Sequence, residues 1–211
     1  MKAQRIGLLG GTFDPIHEGH LGLARLAINK QQLDRLYFLP NLAPPHKSGR
    51  EISAFSVRVE MIRLALAGEE KMDVCLVEKE LPPPSYTIKT LRYLSTGRLA
   101  GSELFFVIGS DSLFDLPTWH DYEEILATVH LLVAARQGEA ETDLAGMAQR
   151  LGYRTEGDRW HCPGKKDIFF LPGYVPAVSS TALRAALRRG EDCPLLPPTV
   201  AAWLKERRLY A

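Results

Sequence analysis

The chain has 211 residues, of which 45% are hydrophobic and 24% charged, an ordinary composition for a soluble globular protein that excludes bulk disorder. Twenty-six Lys and Arg stand against twenty-five Asp and Glu, and the net charge of +1 argues against a general nucleic-acid binder, which needs a basic excess. Since domains usually run to about 100–200 residues, we predict one domain over residues 1–211, with an α/β core at 1–178 and a C-terminal helical portion at 179–211.

The sequence carries no sign of export, membrane insertion or a disulfide framework. The first apolar stretch, residues 6–9, is far shorter than the ~7–15 residues of a secretory signal, and no run approaches the ~18 residues of a membrane span. The three cysteines, Cys75, Cys162 and Cys193, form no CxxC pair. We therefore expect a cytoplasmic protein with no membrane partner and no protein-held metal.

Short apolar runs alternate with amphipathic stretches along the chain. Strands are predicted at residues 4–9, 36–39, 74–77, 104–108, 130–134 and 168–171. Helices are predicted at residues 21–28, 55–67, 86–94, 144–151, 180–187 and 199–207. Alternation of this kind, with fully apolar strands, predicts an α/β fold: a doubly wound, Rossmann-like parallel sheet with helices on both faces. Residues 153–166 are predicted to be a surface loop or a short hairpin, with no function assigned.

The segment GGTFDPIHEGH, residues 10–20, directly follows the first predicted strand. Ligands of open parallel sheets bind beyond the carboxyl ends of the strands. Gly10 and Gly11 would let the backbone approach a ligand closely, and His17 and His20 would share one face of a helix start, where free N–H groups bind anions. The combination predicts a phosphate site rather than a glycine turn with two surface histidines. The spacing matches neither a P-loop nor the GxGxxG of a dehydrogenase.

A second candidate anion site is VSSTALR, residues 178–184. Ser179 or Ser180 is a suitable N-cap, and Arg184 projects from the first turn that follows. Hydroxyls, free N–H groups and a guanidinium would then meet at one helix start. Taken alone, the segment also fits an ordinary capped helix with a surface arginine. Two such segments in one alternating α/β chain predict a polyphosphate held between them.

These segments resemble the nucleotidyltransferase superfamily with an HxGH signature, and within it the bacterial nicotinate-nucleotide adenylyltransferase family. The resemblance runs nearly from end to end. It is carried by GGTFDPIHEGHL at 10–21, PPHK at 44–47, SYTI at 85–88, IGSDS at 108–112, Trp119, SSTALR at 179–184 and LY at 209–210. The chain departs from the family pattern at Lys89, where Asp is frequent, and at Ser110, where Ala is frequent.

The resemblance implies that ATP and nicotinate mononucleotide give deamido-NAD and pyrophosphate, a step of NAD biosynthesis, with Mg²⁺ carried on the ATP phosphates. It implies that the catalytic residues are His17, His20, Lys47 and Arg184. The ATP contacts it implies are Gly10, Gly11, Thr12, Phe13, His17, His20, Gly109, Asp111, Ser180, Thr181 and Arg184. The pyridine-nucleotide contacts it implies are Thr12, Lys47, Ser85, Tyr86, Thr87 and Trp119.

Several alternatives stay open at this stage. Without the resemblance, Lys47 fits a solvated surface lysine, Asp111 a helix N-cap and Trp119 a core aromatic. The same chemistry could act on nicotinamide mononucleotide or phosphopantetheine, or could use CTP. A nucleotide sensor without turnover is disfavoured because both histidines are intact, and a nucleic-acid module is disfavoured by the charge balance. The sequence is compatible with a homo-oligomer but does not determine one.

Overall fold

A computed structural model of the chain describes residues 3–43, 52–134, 141–171, 176 and 178–210, and for residues 141–143 it describes the backbone alone. Eight strands of this part form one sheet in the order β3-β2-β1-β4-β5-β8-β7-β6. The strands are β1 (Arg5–Gly11), β2 (Arg35–Pro40), β3 (Met72–Val74), β4 (Glu103–Gly109), β5 (His130–Ala134), β6 (Arg154–Glu156), β7 (Arg159–His161) and β8 (Ile168–Leu171). The helices are α1 (Glu18–Gln31), α2 (Phe55–Ala65), α3 (Thr87–Thr96), α4 (Ser110–Asp115), α5 (Tyr122–Thr128), α6 (Glu141–Leu151), α7 (Ser180–Arg188) and α8 (Pro198–Glu206).

Strand β1 lies inside the parallel part of the sheet. It pairs in parallel with β2 on one side and with β4 on the other, so the strand order reverses between β1 and β4. Open α/β sheets bind ligands at such a switch point, outside the carboxyl ends of the strands. The register pairs Leu9 with Val107, so Gly11 and Gly109, which end the two strands, lie at the same edge.

Helices cover both faces of the sheet, which confirms the doubly wound arrangement. Along β4, Leu104, Phe106 and Ile108 belong to one buried cluster, whereas Phe105 and Val107 belong to the other. Helices α3, α4, α5 and α6 pack on the first face, and α1, α2, α7 and α8 pack on the second. Successive side chains of a strand point to opposite faces, so a strand covered on both sides must be apolar throughout.

The sheet ends in a hairpin at one edge. Strands β6 and β7 pair antiparallel over part of residues 153–166, and β7 continues antiparallel onto β8. The hairpin prediction for this segment is therefore confirmed. Trp160 of β7 is buried, and the hydroxyl of Tyr153 donates to the carbonyl of Lys166 at 2.8 Å. All three residues of β6 are exposed, so the segment lacks the apolar pattern that identifies a strand.

The remaining predicted elements are confirmed with shifted ends, and two short helices were missed. The third strand covers residues 72–74 instead of 74–77, because a 3₁₀ turn begins at Val77. Helices α4 and α5, of 6 and 7 residues, are too short for a helical apolar repeat to be recognised. Among the helices of the described residues, none combines the length and the hydrophobicity that a membrane span requires.

Candidate active site

The loop that follows β1 is built around a buried phenylalanine. Phe13 has a φ of 54°, and its ring lies 5.5 Å from that of Phe38 and 4.9 Å, edge-on, from that of His20. A Cβ at Gly11 would lie 2.9 Å from Cζ of Phe13, and one at Gly10 would lie 3.3 Å from the ring of Phe106. The two glycines therefore make room for aromatic rings beneath the loop, a packing role that the sequence alone did not indicate.

His17 and His20 meet at the start of α1. Their rings stack with centroids 3.7 Å apart and planes 20° apart. The main-chain N–H of His17 donates to Nδ1 of His20 at 3.3 Å. His17 is buried, whereas His20 is half-buried. Burial lowers the pKa of His17 to about 4, because a charged imidazole loses its hydration there. His17 is consequently neutral at pH 7 and offers a ligand a hydrogen bond rather than a positive charge.

The glycine between the two histidines is explained by close packing. A Cβ at Gly19 would lie 2.8 Å from Cγ1 of Val178 and 3.0 Å from Nδ1 of His17. Any larger residue would push away either the His17 ring or the segment that leads into α7. Gly19 thus lets the two predicted phosphate segments approach each other.

The start of α7 is hydrogen-bonded directly to the loop after β1. The Ser180 hydroxyl donates to the carbonyl of Pro15 at 3.0 Å, and Nη1 of Arg184 donates to the carbonyl of Asp14 at 2.6 Å. Nη2 of Arg184 lies 3.4 Å from the hydroxyl of Thr181. The N-cap of α7 is Ser179, whose hydroxyl accepts from the N–H of Ala182 at 3.1 Å. The structure therefore brings together two segments that are more than 160 residues apart in the chain.

A buried arginine beneath the site was missed from the sequence. Arg58 of α2 is 2% exposed, and its guanidinium donates to the carbonyls of Ser53, Thr12 and Asn41 at 3.0, 2.8 and 2.8 Å. Burial lowers the pKa of Arg58, and the charge of Asp14 opposes that shift. One side chain thus holds the loops after β1 and β2 and the segment before α2. An arginine within an amphipathic helical pattern looks solvent-facing, so no sequence signal indicated this role.

The carboxylate of Asp14 is buried and fully engaged. Its Oδ1 accepts from the hydroxyl of Tyr210, and its Oδ2 accepts from the N–H of Ser53 at 3.2 Å. The Ser53 hydroxyl in turn donates to the Tyr210 hydroxyl at 3.0 Å. Burial, with the neighbouring Asp14 carboxylate, raises the pKa of Tyr210. The terminal LY segment of the sequence was the signal that could have directed attention to this contact.

Aromatic side chains gather at the other end of the switch point. The ring of Tyr86 stacks on that of His120 with centroids 4.4 Å apart, and Nζ of Lys89 lies 5.2 Å from the Tyr86 ring centroid. Trp119 precedes His120 in the chain, and its partly buried ring packs edge-on against Phe106 at 6.3 Å. The two segments that carry Tyr86 and Trp119 therefore meet. Trp119 packs against the core cluster on this face of the sheet and also borders this region.

Four further predicted residues lie at or just before helix starts. Thr87 is the first residue of α3, and Gly109 is the N-cap of α4, with Asp111 in its first turn. The alternative interpretation of Asp111 as the N-cap of this helix is therefore wrong. The Ser85 hydroxyl accepts from the N–H of Ala43 at 3.0 Å, so it fastens the loop after β2 in this structure.

The described side chains offer no dedicated metal cage. No group of three or more His, Cys, Asp or Glu among the described residues could hold a metal ion. The Asp14 carboxylate, which lies in the loop after β1, uses both oxygens for protein contacts. Lys47, predicted to be a mobile catalytic cation, lies outside the described residues.

Comparison with known proteins decides the family. A family model described as cytidylyltransferase-like matches residues 8–186, which include both phosphate segments. A Desulfotalea psychrophila protein named "Probable nicotinate-nucleotide adenylyltransferase" is 39% identical over 210 residues, 98% of this chain and 100% of that protein. A protein of the same name from Geobacter sulfurreducens is 37% identical over 214 residues, 98% of each chain. The chain belongs to the nicotinate-nucleotide adenylyltransferase family. It is thus an enzyme, a nucleotidyltransferase.

Solved structures share the fold of this family member. The Plasmodium falciparum nicotinic acid mononucleotide adenylyltransferase complexed with NaAD matches with a TM-score of 0.72 and 17% identity, covering 98% of this chain and 97% of that chain. The same enzyme complexed with APC matches with a TM-score of 0.70 at 17% identity and the same coverage. At this identity the likeness concerns the fold, and it extends over nearly the whole of both chains.

Proposed function

We propose that this enzyme transfers the adenylyl group of ATP to nicotinate mononucleotide, giving deamido-NAD and pyrophosphate in NAD biosynthesis. One observation carries the proposal: Arg184 and Ser180 of α7 donate to the carbonyls of Asp14 and Pro15 in the loop that leads into α1. The two predicted phosphate-binding helix starts therefore flank one loop. The names of the relatives supply the acceptor. Because ATP would need both helix starts, the proposal treats residues 1–211 as one domain.

The chemistry needs positioning more than acid–base catalysis. The 5′-phosphate of the acceptor attacks the α-phosphorus of ATP in line, a new P–O bond forms, and the bond to the β-phosphate oxygen breaks to release pyrophosphate. The attacking phosphate is already ionised at neutral pH, so no general base is required. The enzyme's part is to orient the two phosphates and to stabilise the charge that develops on the α-phosphoryl and leaving oxygens.

The histidines and the arginine suit these two tasks. In the proposal, His20 donates to the α-phosphate with His17 beside it, and Arg184, with Ser180 and Thr181, binds the β- and γ-phosphates. The pKa of about 4 for His17 supports a neutral donor that is already desolvated, so it needs no reorganisation when charge develops. Lys47 is proposed to neutralise phosphate charge from its loop.

A divalent cation is proposed to enter as part of the nucleotide substrate, as Mg·ATP. Mg²⁺ keeps several waters and binds through phosphate oxygens, so a protein cage is unnecessary. The engagement of both Asp14 oxygens by Ser53 and Tyr210 supports this arrangement over direct coordination by Asp14.

The acceptor is proposed to lie on the Tyr86 side of the switch point. The pyridine ring would pack against Trp119, and the N–H groups at the start of α3, near Thr87, would take the nicotinate carboxylate. Lys89, 5.2 Å from the Tyr86 ring centroid, adds positive charge to this region and supports an acidic acceptor. Asp111 and Gly109 would contact the ATP nucleoside, where the carboxylate can accept from a ribose hydroxyl.

The experiment that tests the proposal measures pyrophosphate release with Mg²⁺ and paired substrates. Nicotinate or nicotinamide mononucleotide is supplied with ATP, and in a second series CTP replaces ATP. We expect release with ATP and nicotinate mononucleotide, and much less with the amide or with CTP. Absence of release with nicotinate mononucleotide would refute the proposal. Preference for the amide or for CTP would move the enzyme to one of the alternative reactions.

A further inference from the structure

We propose that Tyr210, next to the end of the chain, is a positioning residue for the ATP phosphates, acting through Asp14 on Arg184. The inference rests on the proposed function, because it assigns Arg184 to phosphate binding. Tyr210 itself would touch neither substrate. Its hydroxyl would determine where the Asp14 carboxylate lies, and the carboxylate would determine where the guanidinium can lie.

The contacts form a short chain from the C-terminus to the phosphate site. The Tyr210 hydroxyl donates to Oδ1 of Asp14, and Oδ2 of Asp14 lies 4.0 Å from Nη1 of Arg184. The same Nη1 donates to the Asp14 main-chain carbonyl at 2.6 Å. Arg184 is thus held by the carbonyl, with the carboxylate just beyond hydrogen-bond distance. Its side chain is 20% exposed, which leaves part of the guanidinium accessible to a phosphate.

The tyrosine hydroxyl balances a buried charge. Asp14 is 3% exposed, and a buried carboxylate is costly unless donors surround it. Burial and the carboxylate raise the pKa of Tyr210, so the phenol keeps the proton that it donates. Without that donor, Oδ1 would lack a partner. Of the two cations near the carboxylate, Arg58 already donates to three carbonyls, so Arg184 would be the one able to compensate. A guanidinium drawn onto Asp14 would be less available to ATP.

The backbone near the C-terminus is arranged to deliver this hydroxyl. Helix α8 ends at Glu206, and Arg208 and Tyr210 then adopt φ values of 52° and 64°. Two non-glycine residues in the left-handed region are unusual and persist where surrounding contacts hold them. Ser53 completes the arrangement by donating from its hydroxyl to Tyr210 and from its N–H to Asp14.

The test compares Tyr210→Phe with a matched control, Tyr153→Phe. Tyr153 is buried whereas Tyr210 is half-buried, but in both the pKa is raised by burial, and the Tyr153 hydroxyl donates to a carbonyl in the hairpin, away from the site. Each variant loses one tyrosine hydroxyl that donates a hydrogen bond. In calorimetric titration with Mg·ATP, we expect about tenfold weaker binding for Tyr210→Phe, the scale of a lost hydrogen bond to a charged group. We expect less than a twofold change for Tyr153→Phe, and less than a twofold change in the KM for nicotinate mononucleotide in both.

A double variant with Arg184 distinguishes a positioning role of Tyr210 from a general loss of protein stability. In an Arg184→Lys background, Tyr210→Phe is expected to weaken ATP binding by less than twofold, because the group through which it acts is already changed. Equal effects of the two tyrosine variants, or a full tenfold effect in the Arg184→Lys background, would overturn the inference. Ser53→Ala, which removes the hydroxyl that donates to Tyr210, gives a second measurement with an expected loss of about threefold.

Failure of the proposed function has a different signature. If wild-type protein binds ATP but releases no pyrophosphate with any acceptor, the proposed reaction is wrong. The ATP-binding comparison still decides the role of Tyr210.

Discussion

The imidazole of His17 lies stacked on that of His20, with ring centroids 3.7 Å apart, but only the His17 ring is buried. Two charged imidazoles in this arrangement would repel each other, and desolvation already keeps His17 neutral, with a pKa of about 4. The two histidines therefore do not carry two positive charges at neutral pH. The positive charge that we assign to the phosphate site comes from Arg184 and Lys47.

The lowered pKa of His17 predicts a loss of stability in acid. Its value of about 4 in the folded chain lies below the ordinary 6.5, so the unfolded chain binds more protons between these two pH values. Stability should fall as the pH falls through this window, by on the order of 3 kcal/mol for this group. The free energy of unfolding is measured by urea titration of the wild type and of His17→Gln at several pH values. The variant should lose less stability in acid, and parallel pH profiles would contradict the assignment.

Replacement of His20 should slow the chemical step. His20→Ala removes a donor assigned to the α-phosphate, and loss of one such donor typically costs about 100- to 1,000-fold in kcat. Pyrophosphate release under saturating substrates measures the change. His161→Ala, on hairpin strand β7, is the control and should keep nearly full activity. A near-native rate for His20→Ala would refute the assigned role.

Substitution of Gly19 should displace the His17 ring. A Cβ there would lie 2.8 Å from Cγ1 of Val178 and 3.0 Å from Nδ1 of His17, so we expect Gly19→Ala to lower kcat at least about tenfold, since small misplacements are costly in positioning catalysis. Gly146→Ala, in α6, meets nothing within 4 Å and should leave kcat unchanged. Gly19→Ala combined with Val178→Ala should recover part of the activity. If the single variant is fully active, the packing explanation is wrong.

Removal of the Arg58 guanidinium should destabilise the fold. Arg58→Met keeps the aliphatic volume but leaves the carbonyls of Ser53, Thr12 and Asn41 without their donor. We expect a loss of about 3 kcal/mol in the free energy of unfolding, measured by urea titration. Arg63→Ala, exposed on the same helix, should change it by less than about 0.5 kcal/mol. Similar losses in the two variants would show that the buried hydrogen bonds contribute little.

Local patterns in the sequence were sufficient to predict most of the helices and strands. Apolar runs and helical spacings depend on residues within a few positions of one another, so β1, β4 and α2 were recognisable without their neighbours. The short α4 and α5 were missed because one or two turns contain too few repeats. For the segment that forms β6 and β7, the sequence predicted either a surface loop or a short hairpin. It could not choose between them, since the pairing of β7 with β8 depends on the rest of the sheet.

From local sequence alone, residues 10–20 and 178–184 were recognised as candidate phosphate segments, because glycines, histidines, serines and an arginine occur together at two predicted helix starts. The residues that surround these two segments became evident only from the folded chain. The burial of Arg58, the neutral state of His17 and the contact of Tyr210 with Asp14 depend on residues that are distant in the chain. Burial and hydrogen bonding are properties of the packed neighbourhood, and the spacing of residues along a sequence does not encode them directly.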